Sequence, residues 1–193
     1  MLFHPSLYFS AEFCYSSAQK GCDGMKTKKL VLLGLLSAIA LTIFMLEAQL
    51  PPLLPLPGVK IGLANIVTVF TVFVLGPKEG VAVLIVRVFL GAVFAGNFST
   101  IFYSGAGGAC AIVVTILLKK VLKLNQLFVA GALGAVAHSI GQMAAAVVIS
   151  GTPELAVYLP VMIGISVVTG LFTGFSAQFL INHGGRLWKT FLQ

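Results

Sequence analysis

From residue 30 onward the chain runs in long apolar blocks, with polar residues gathered mainly between them. A helix on the surface of a water-soluble protein keeps a polar face, and a half-buried strand alternates every second residue. Neither pattern is sustained here. The blocks cover residues 30–48, 61–75, 81–96, 99–118, 127–149 and 157–181. A helix needs about 20 apolar residues to cross the hydrocarbon core. The pattern therefore predicts an all-α membrane protein of about six transmembrane helices, the second of them short.

The breaks between blocks carry turn chemistry. Residues 49–60 read QLPPLLPLPGVK, and their four prolines forbid a continuous helix. This stretch is apolar but not helical. It is expected to be a loop or a partial re-entrant segment tucked into protein, because irregular backbone is not tolerated against lipid. Gly76-Pro77-Lys78-Glu79-Gly80 is a turn, and Ser150-Gly151-Thr152-Pro153-Glu154 closes the fifth block.

Composition agrees. Of 193 residues, 59% are hydrophobic and 9% charged, whereas a soluble domain carries roughly 25% charged residues. Mean hydropathy is +1.06. Six spans with short loops leave no room for a soluble domain. Three segments are expected: 1–24, an N-terminal extension of mixed polarity, disordered or an upstream start; 25–183, the transmembrane domain; and 184–193, a cytoplasmic tail. Met25-Lys26-Thr27-Lys28-Lys29 followed by an apolar block has the form of a membrane-protein start. A cleaved signal peptide is the competing reading, but the block is long for one and LEAQLPP is a poor cleavage site.

The net charge of +7 does not point to nucleic acid, because the cations sit at block ends rather than in one patch. Threaded six times from a cytoplasmic N-terminus, Lys26, Lys28, Lys29, Lys78, Lys119, Lys120, Lys123, Arg186 and Lys189 fall inside. Only Lys60 falls in an outer loop. The positive-inside rule demands such a bias, so both termini are expected in the cytoplasm of a multi-pass cell-membrane protein. Cys14, Cys22 and Cys110 form no CxxC pair, so neither a disulfide framework nor a metal site is expected.

Polar residues inside a bilayer are the candidates for function. Glu47, Lys60, Asn65, Asn97, His138 and Gln142 share the outer half of the predicted spans, with Tyr103, Glu154 and Tyr158 nearer the interface. They form either a ligand pocket open to the outside or a set of interfacial residues and helix–helix hydrogen bonds. Glu47 and Lys60 also fit a simple ion pair across the proline-rich loop. Arg87 either snorkels to the inner headgroups or faces the bundle interior. Gly34 and Ala38 make a small-xxx-small step on the first helix, and glycines and alanines crowd the fourth, fifth and sixth. Such residues serve packing within the bundle or docking of a partner.

Catalytic apparatus is missing from the sequence. Asp23 is its only aspartate, no DDxxD-type cluster is present to hold magnesium and a diphosphate, and no Walker A, GxSxG or HExxH sequence occurs. The expectation is a non-enzyme without cofactor that binds or moves a solute.

Three stretches carry a resemblance: LEAQLP at 46–51, PGVKIGLANI at 57–66 and RVFLG at 87–91. With them, residues 25–183 resemble the Gx transporter family, also labelled heptaprenyl diphosphate synthase component I. That family is similar to the substrate-binding S components of energy-coupling factor transporters. The resemblance implies a six-helix S-component-like bundle that captures a vitamin-like or isoprenoid-related solute from outside. It also implies a transmembrane coupling protein and cytoplasmic ATPase subunits as partners, with Gly34 and Ala38 on the docking helix. An accessory role in heptaprenyl diphosphate synthesis and a stand-alone secondary transporter are the alternatives.

Overall fold

The computed structural model describes the backbone of residues 6–49, 62–96, 98–122 and 126–192, and the side chains of those between 27 and 184. Among the described residues six α-helices follow one another: α1 (Ser6–Gln49), α2 (Asn65–Val74), α3 (Pro77–Phe94), α4 (Ser99–Val121), α5 (Leu127–Ser150) and α6 (Leu159–Leu192). A 3₁₀ turn, Pro153–Tyr158, leads into α6. No strand occurs among the described residues. The helical backbone of α1 runs through part of the stretch set apart above as an extension. Most of the proline-rich segment, residues 50–61, lies outside the described residues, as does Lys123.

Local chemistry explains the breaks. Gly76 adopts φ 131° and Pro77 occupies the first turn of α3, so the chain turns sharply and restarts. α5 stops where Gly151 takes the left-handed conformation at φ 65°, a common glycine role at helix ends. Pro153 then opens the 3₁₀ turn.

Among the described residues, four helices are long and apolar enough to cross a membrane: Thr27–Gln49 within α1, all of α4 and α5, and Pro153–Gly184. α2, with 10 residues, reaches only about 15 Å at 1.5 Å per residue. α3 has the length but carries Lys78, Glu79 and Arg87. The outward surface of the helices carries many large apolar side chains: Leu35 and Ile39 on α1, Ile85 and Phe89 on α3, Phe102 and Leu117 on α4, Val148 on α5 and Phe172 on α6 are all exposed. Water would not tolerate such a coat as the surface of one small protein. The molecule is a membrane helical bundle.

The short α2 is its centre. It touches each of the other α-helices, and its Val67, Val69, Phe70, Val72 and Phe73 supply much of the buried core. α5 packs chiefly against α4 and α6. Glycine makes the α5–α6 approach close. A Cβ added at Gly174 would lie 2.5 Å from Phe128 Cα, and one at Gly170 2.7 Å from Ala132 Cα. Side chains there would drive the backbones apart. Ser139 and Ser166 hydrogen-bond across the same seam. These small residues serve packing within the bundle.

One end of the bundle is charged. Lys29 of α1 pairs with Glu79 in the first turn of α3. Lys119 of α4 donates to the Val72 carbonyl near the end of α2, at 2.6 Å, where the helix dipole favours a cation. Glu47 lies 18 residues beyond Lys29 on the same helix, about 27 Å further along its axis. The charged end and the Glu47 end are thus separated by nearly the thickness of a hydrocarbon core.

Candidate functional site

Near the end opposite the lysines, the apolar interior gives way to a polar cluster. Glu47 comes from the last turn of α1, and Gly62 and Asn65 from the turn opening α2. Arg87 comes from the middle of α3, Ser104 from the early turns of α4 and His138 from the middle of α5. Glu47, Asn65, Arg87, Ser104 and His138 are each no more than 6% exposed. Burying polar and charged groups in hydrocarbon is unfavourable unless they satisfy one another, so their convergence needs a local explanation.

Part of it is in the hydrogen bonds. The Gly62 N–H donates to Glu47 Oε1, which ties the start of α2 to the end of α1. Gly62 has φ +84°, and a Cβ there would lie 3.2 Å from Asn65 Nδ2 and 3.4 Å from His138 Cδ2. Glycine is required both by backbone conformation and by crowding. Arg87 Nη1 donates to Asn65 Oδ1 at 3.3 Å, and Arg87 also feels the opposite charge of Glu47. The guanidinium therefore faces the bundle interior; it does not snorkel to the headgroups. His138 lies over Gly107 of α4, whose added Cβ would stand 2.9 Å from the ring Cε1. A larger residue at 107 would displace the imidazole.

The cluster is not fully satisfied. Asn65 Nδ2, Arg87 Nε and His138 Nδ1 form no hydrogen bond of good geometry among the described residues, although the Gly107 backbone lies against the His138 ring. Phe44, Glu47, Gly62, Ala64, Arg87, Ser104 and His138 enclose a space of about 10 Å³, the lower bound for one water molecule. The polar and apolar side chains thus pack around a nearly filled centre.

Three of the residues picked out in the sequence, Glu47, Arg87 and His138, thus line one space, and Asn65 is held beside it by its hydrogen bond from Arg87. Gln142 is wholly buried one turn further along α5 but does not line the enclosed space. Lys60 and Asn97 lie outside the described residues. Tyr103 packs against Met143, Ala146 and Met162, which is a packing role, and Glu154 and Tyr158 are exposed beside the 3₁₀ turn. Gly34 and Ala38 face outward on α1, and a Cβ at Gly34 would touch nothing within 4 Å. Ser104 and Gly62 escaped the reading of the sequence. A serine in a membrane helix usually bonds its own backbone one turn back, as Ser150 and Ser166 do, so Ser104 gave no signal.

Neither a curated protein nor a solved structure matches the chain. A family model described as heptaprenyl diphosphate synthase component I matches residues 36–180. That match takes in Glu47, the turn opening α2, Arg87, Ser104 and His138, the whole of the polar cluster. The chain is a membrane protein of the heptaprenyl diphosphate synthase component I family.

Proposed function

We propose that this chain is the solute-binding membrane subunit of an energy-coupling-factor-type transporter, spanning the cell membrane six times with both termini in the cytoplasm. The observation that carries the reading is the buried cluster of Glu47, Asn65, Arg87 and His138 at the end away from Lys29 and Lys119. With the lysine end inside, the cluster faces the outer leaflet, where a solute arrives. Binding opens the closed centre, and the solute takes up the donors left over. Gly34 and Ala38, smooth and outward-facing on α1, supply the surface for a transmembrane coupling protein, which joins the chain to cytoplasmic ATPases. The chain itself carries out no covalent chemistry.

The test is reconstitution. Purified chain in liposomes should bind but not accumulate solute. Accumulation should require the coupling protein, both ATPases and ATP. Mass spectrometry of the small molecule retained after gentle detergent extraction identifies the solute. Accumulation by the lone chain would overturn the reading in favour of a secondary transporter.

The family's description favours a second reading, an accessory membrane subunit for prenyl diphosphate synthesis. A magnesium-diphosphate site needs several carboxylates, and the cluster has one, Glu47. A catalytic partner chain would have to bring the rest. Co-purification with a DDxxD-bearing protein, and prenyl transfer that depends on both chains, would establish this role.

A further inference from the structure

The lysine end of the bundle carries a surface of its own, whatever solute the polar cluster takes. Folding gathers there lysines that lie far apart in the chain. Lys29 of α1 pairs with Glu79 of α3. Gly80, the next residue of α3, packs against the Val72 side chain of α2, and the Val72 carbonyl accepts from Lys119 of α4. Lys28, Lys78 and Lys120 are the chain neighbours of these contacts. All three are exposed and make no ion pair among the described residues.

Cations outnumber anions here under any pairing. The chain has five acidic side chains: Glu12, Asp23, Glu47, Glu79 and Glu154. Glu47 in the last turn of α1 and Glu154 beyond α5 lie at the other end. Were Glu12, Asp23 and Glu79 each to neutralise one of Lys28, Lys29, Lys78, Lys119 and Lys120, cations would still be left over.

What adjoins the lysines narrows the partner. Within about one turn toward the middle of the bundle stand Leu30 and Val31 on α1, Val81 on α3 and Leu117 on α4, all exposed. A free phosphate or an acidic peptide gains nothing from such a rim. A phospholipid joins its headgroup to hydrocarbon chains and meets both, and lysines near the surface favour an anionic headgroup. From the gathering of Lys28, Lys78 and Lys120 above this apolar rim, we propose that the lysine end binds anionic phospholipid, its phosphate held by the ammonium groups and its acyl chains by the rim. The positive-inside bias orients a chain during insertion and requires no bound lipid; a binding surface retains one selectively.

The test uses the full-length protein purified in nonionic detergent, read by native mass spectrometry and thermal shift. Dioleoyl phosphatidylglycerol, dioleoyl phosphatidylcholine and inorganic phosphate are added at equal concentration. Phosphatidylglycerol should stay bound and raise the melting temperature, and the other two should do neither. The triple variant Lys28→Gln/Lys78→Gln/Lys120→Gln should bind phosphatidylglycerol at least about tenfold more weakly, since each lysine near an anionic surface contributes about fivefold. Without lipid it should melt like the parent, because the three side chains are exposed. Replacing the same lysines by arginine, which keeps the charge, should preserve binding. Equal binding of phosphatidylcholine would reduce the contact to nonspecific apolar adhesion. Equal stabilisation by inorganic phosphate would assign the lysines to a soluble anion. Undiminished phosphatidylglycerol binding by the glutamine variant would place the lipid elsewhere. Each of these three results overturns the proposal and leaves the solute-binding reading untouched.

Discussion

A guanidinium buried halfway along a mostly apolar helix must find its hydrogen-bond partners inside the protein. Arg87 finds Asn65 Oδ1 and the charge of Glu47. Removing one member of a buried pair strands the other, which is worse than removing both. Glu47→Ala and Arg87→Ala should therefore each destabilise the purified protein by several kcal/mol, on the order of 3–5. The double variant should lose clearly less than the sum, with a coupling of roughly 0.5–3 kcal/mol. Thermal or denaturant unfolding of the three variants in one detergent measures it, and simple additivity would show that the two charges do not act on each other. Glu47, Asn65, Arg87 and His138 were legible in the sequence because polar residues within apolar blocks stand out. Their convergence was not. It depends on the tight turn at Gly62, a residue with no side chain to signal its role, and on the gap Gly107 leaves for the His138 ring.

At the scale of helices, two glycines that look alike in the sequence have opposite surroundings. Gly170 sits against the backbone of α5, while Gly34 opens onto empty space outside α1. Gly170→Val should destabilise the bundle by about 1–3 kcal/mol through overpacking and lower the melting temperature. Gly34→Val should leave melting unchanged and, on the docking proposal, weaken association with the coupling protein. Equal melting losses at the two sites would contradict the α5–α6 packing. The breaks at Gly76-Pro77 and Gly151 were readable because glycine and proline act locally. The extents of α2 and α6 were harder to read. α2 stays short because it is shielded on every side by other helices rather than by lipid. The Lys29–Glu79 link between α1 and α3 adds a pH dependence. Hydrogen bonding from Lys29 holds the Glu79 carboxyl below its ordinary value of 4.5. A depressed carboxylate stabilises the fold above the unfolded value, and that contribution disappears as pH falls through the lower folded value. The melting temperature should drop below about pH 4.5, and Glu79→Gln should reduce the drop. The effect is small, since the Lys29 side chain is 46% exposed and water screens the pair.

For the molecule as a whole, the number of helices that cross the bilayer decides which way the polar cluster faces. Composition alone counts against α3, which carries three charges in 18 residues. Their placement argues the other way. Lys78 and Glu79 sit in its first turn at the charged end, and Arg87 points inward, 3% exposed. The face turned outward is Ile85, Val86, Phe89 and Val93, as apolar as that of any other span. At 1.5 Å per residue α3 is about 27 Å long, close to the roughly 30 Å of a hydrocarbon core. A helix whose charges lie at one end or inside the protein presents lipid with nothing polar, so α3 should cross. Single cysteines placed at Lys78 and Lys120, in a background with Cys14, Cys22 and Cys110 replaced by serine, should react with a membrane-impermeant thiol reagent only from the cytoplasmic side. Cysteines at Gly96 and Thr152 should react only from outside. Labelling of positions 78 and 96 from the same face of intact cells would mean that α3 does not cross, which would deny the bundle its six spans and remove the argument that Glu47 and Asn65 face the outer leaflet.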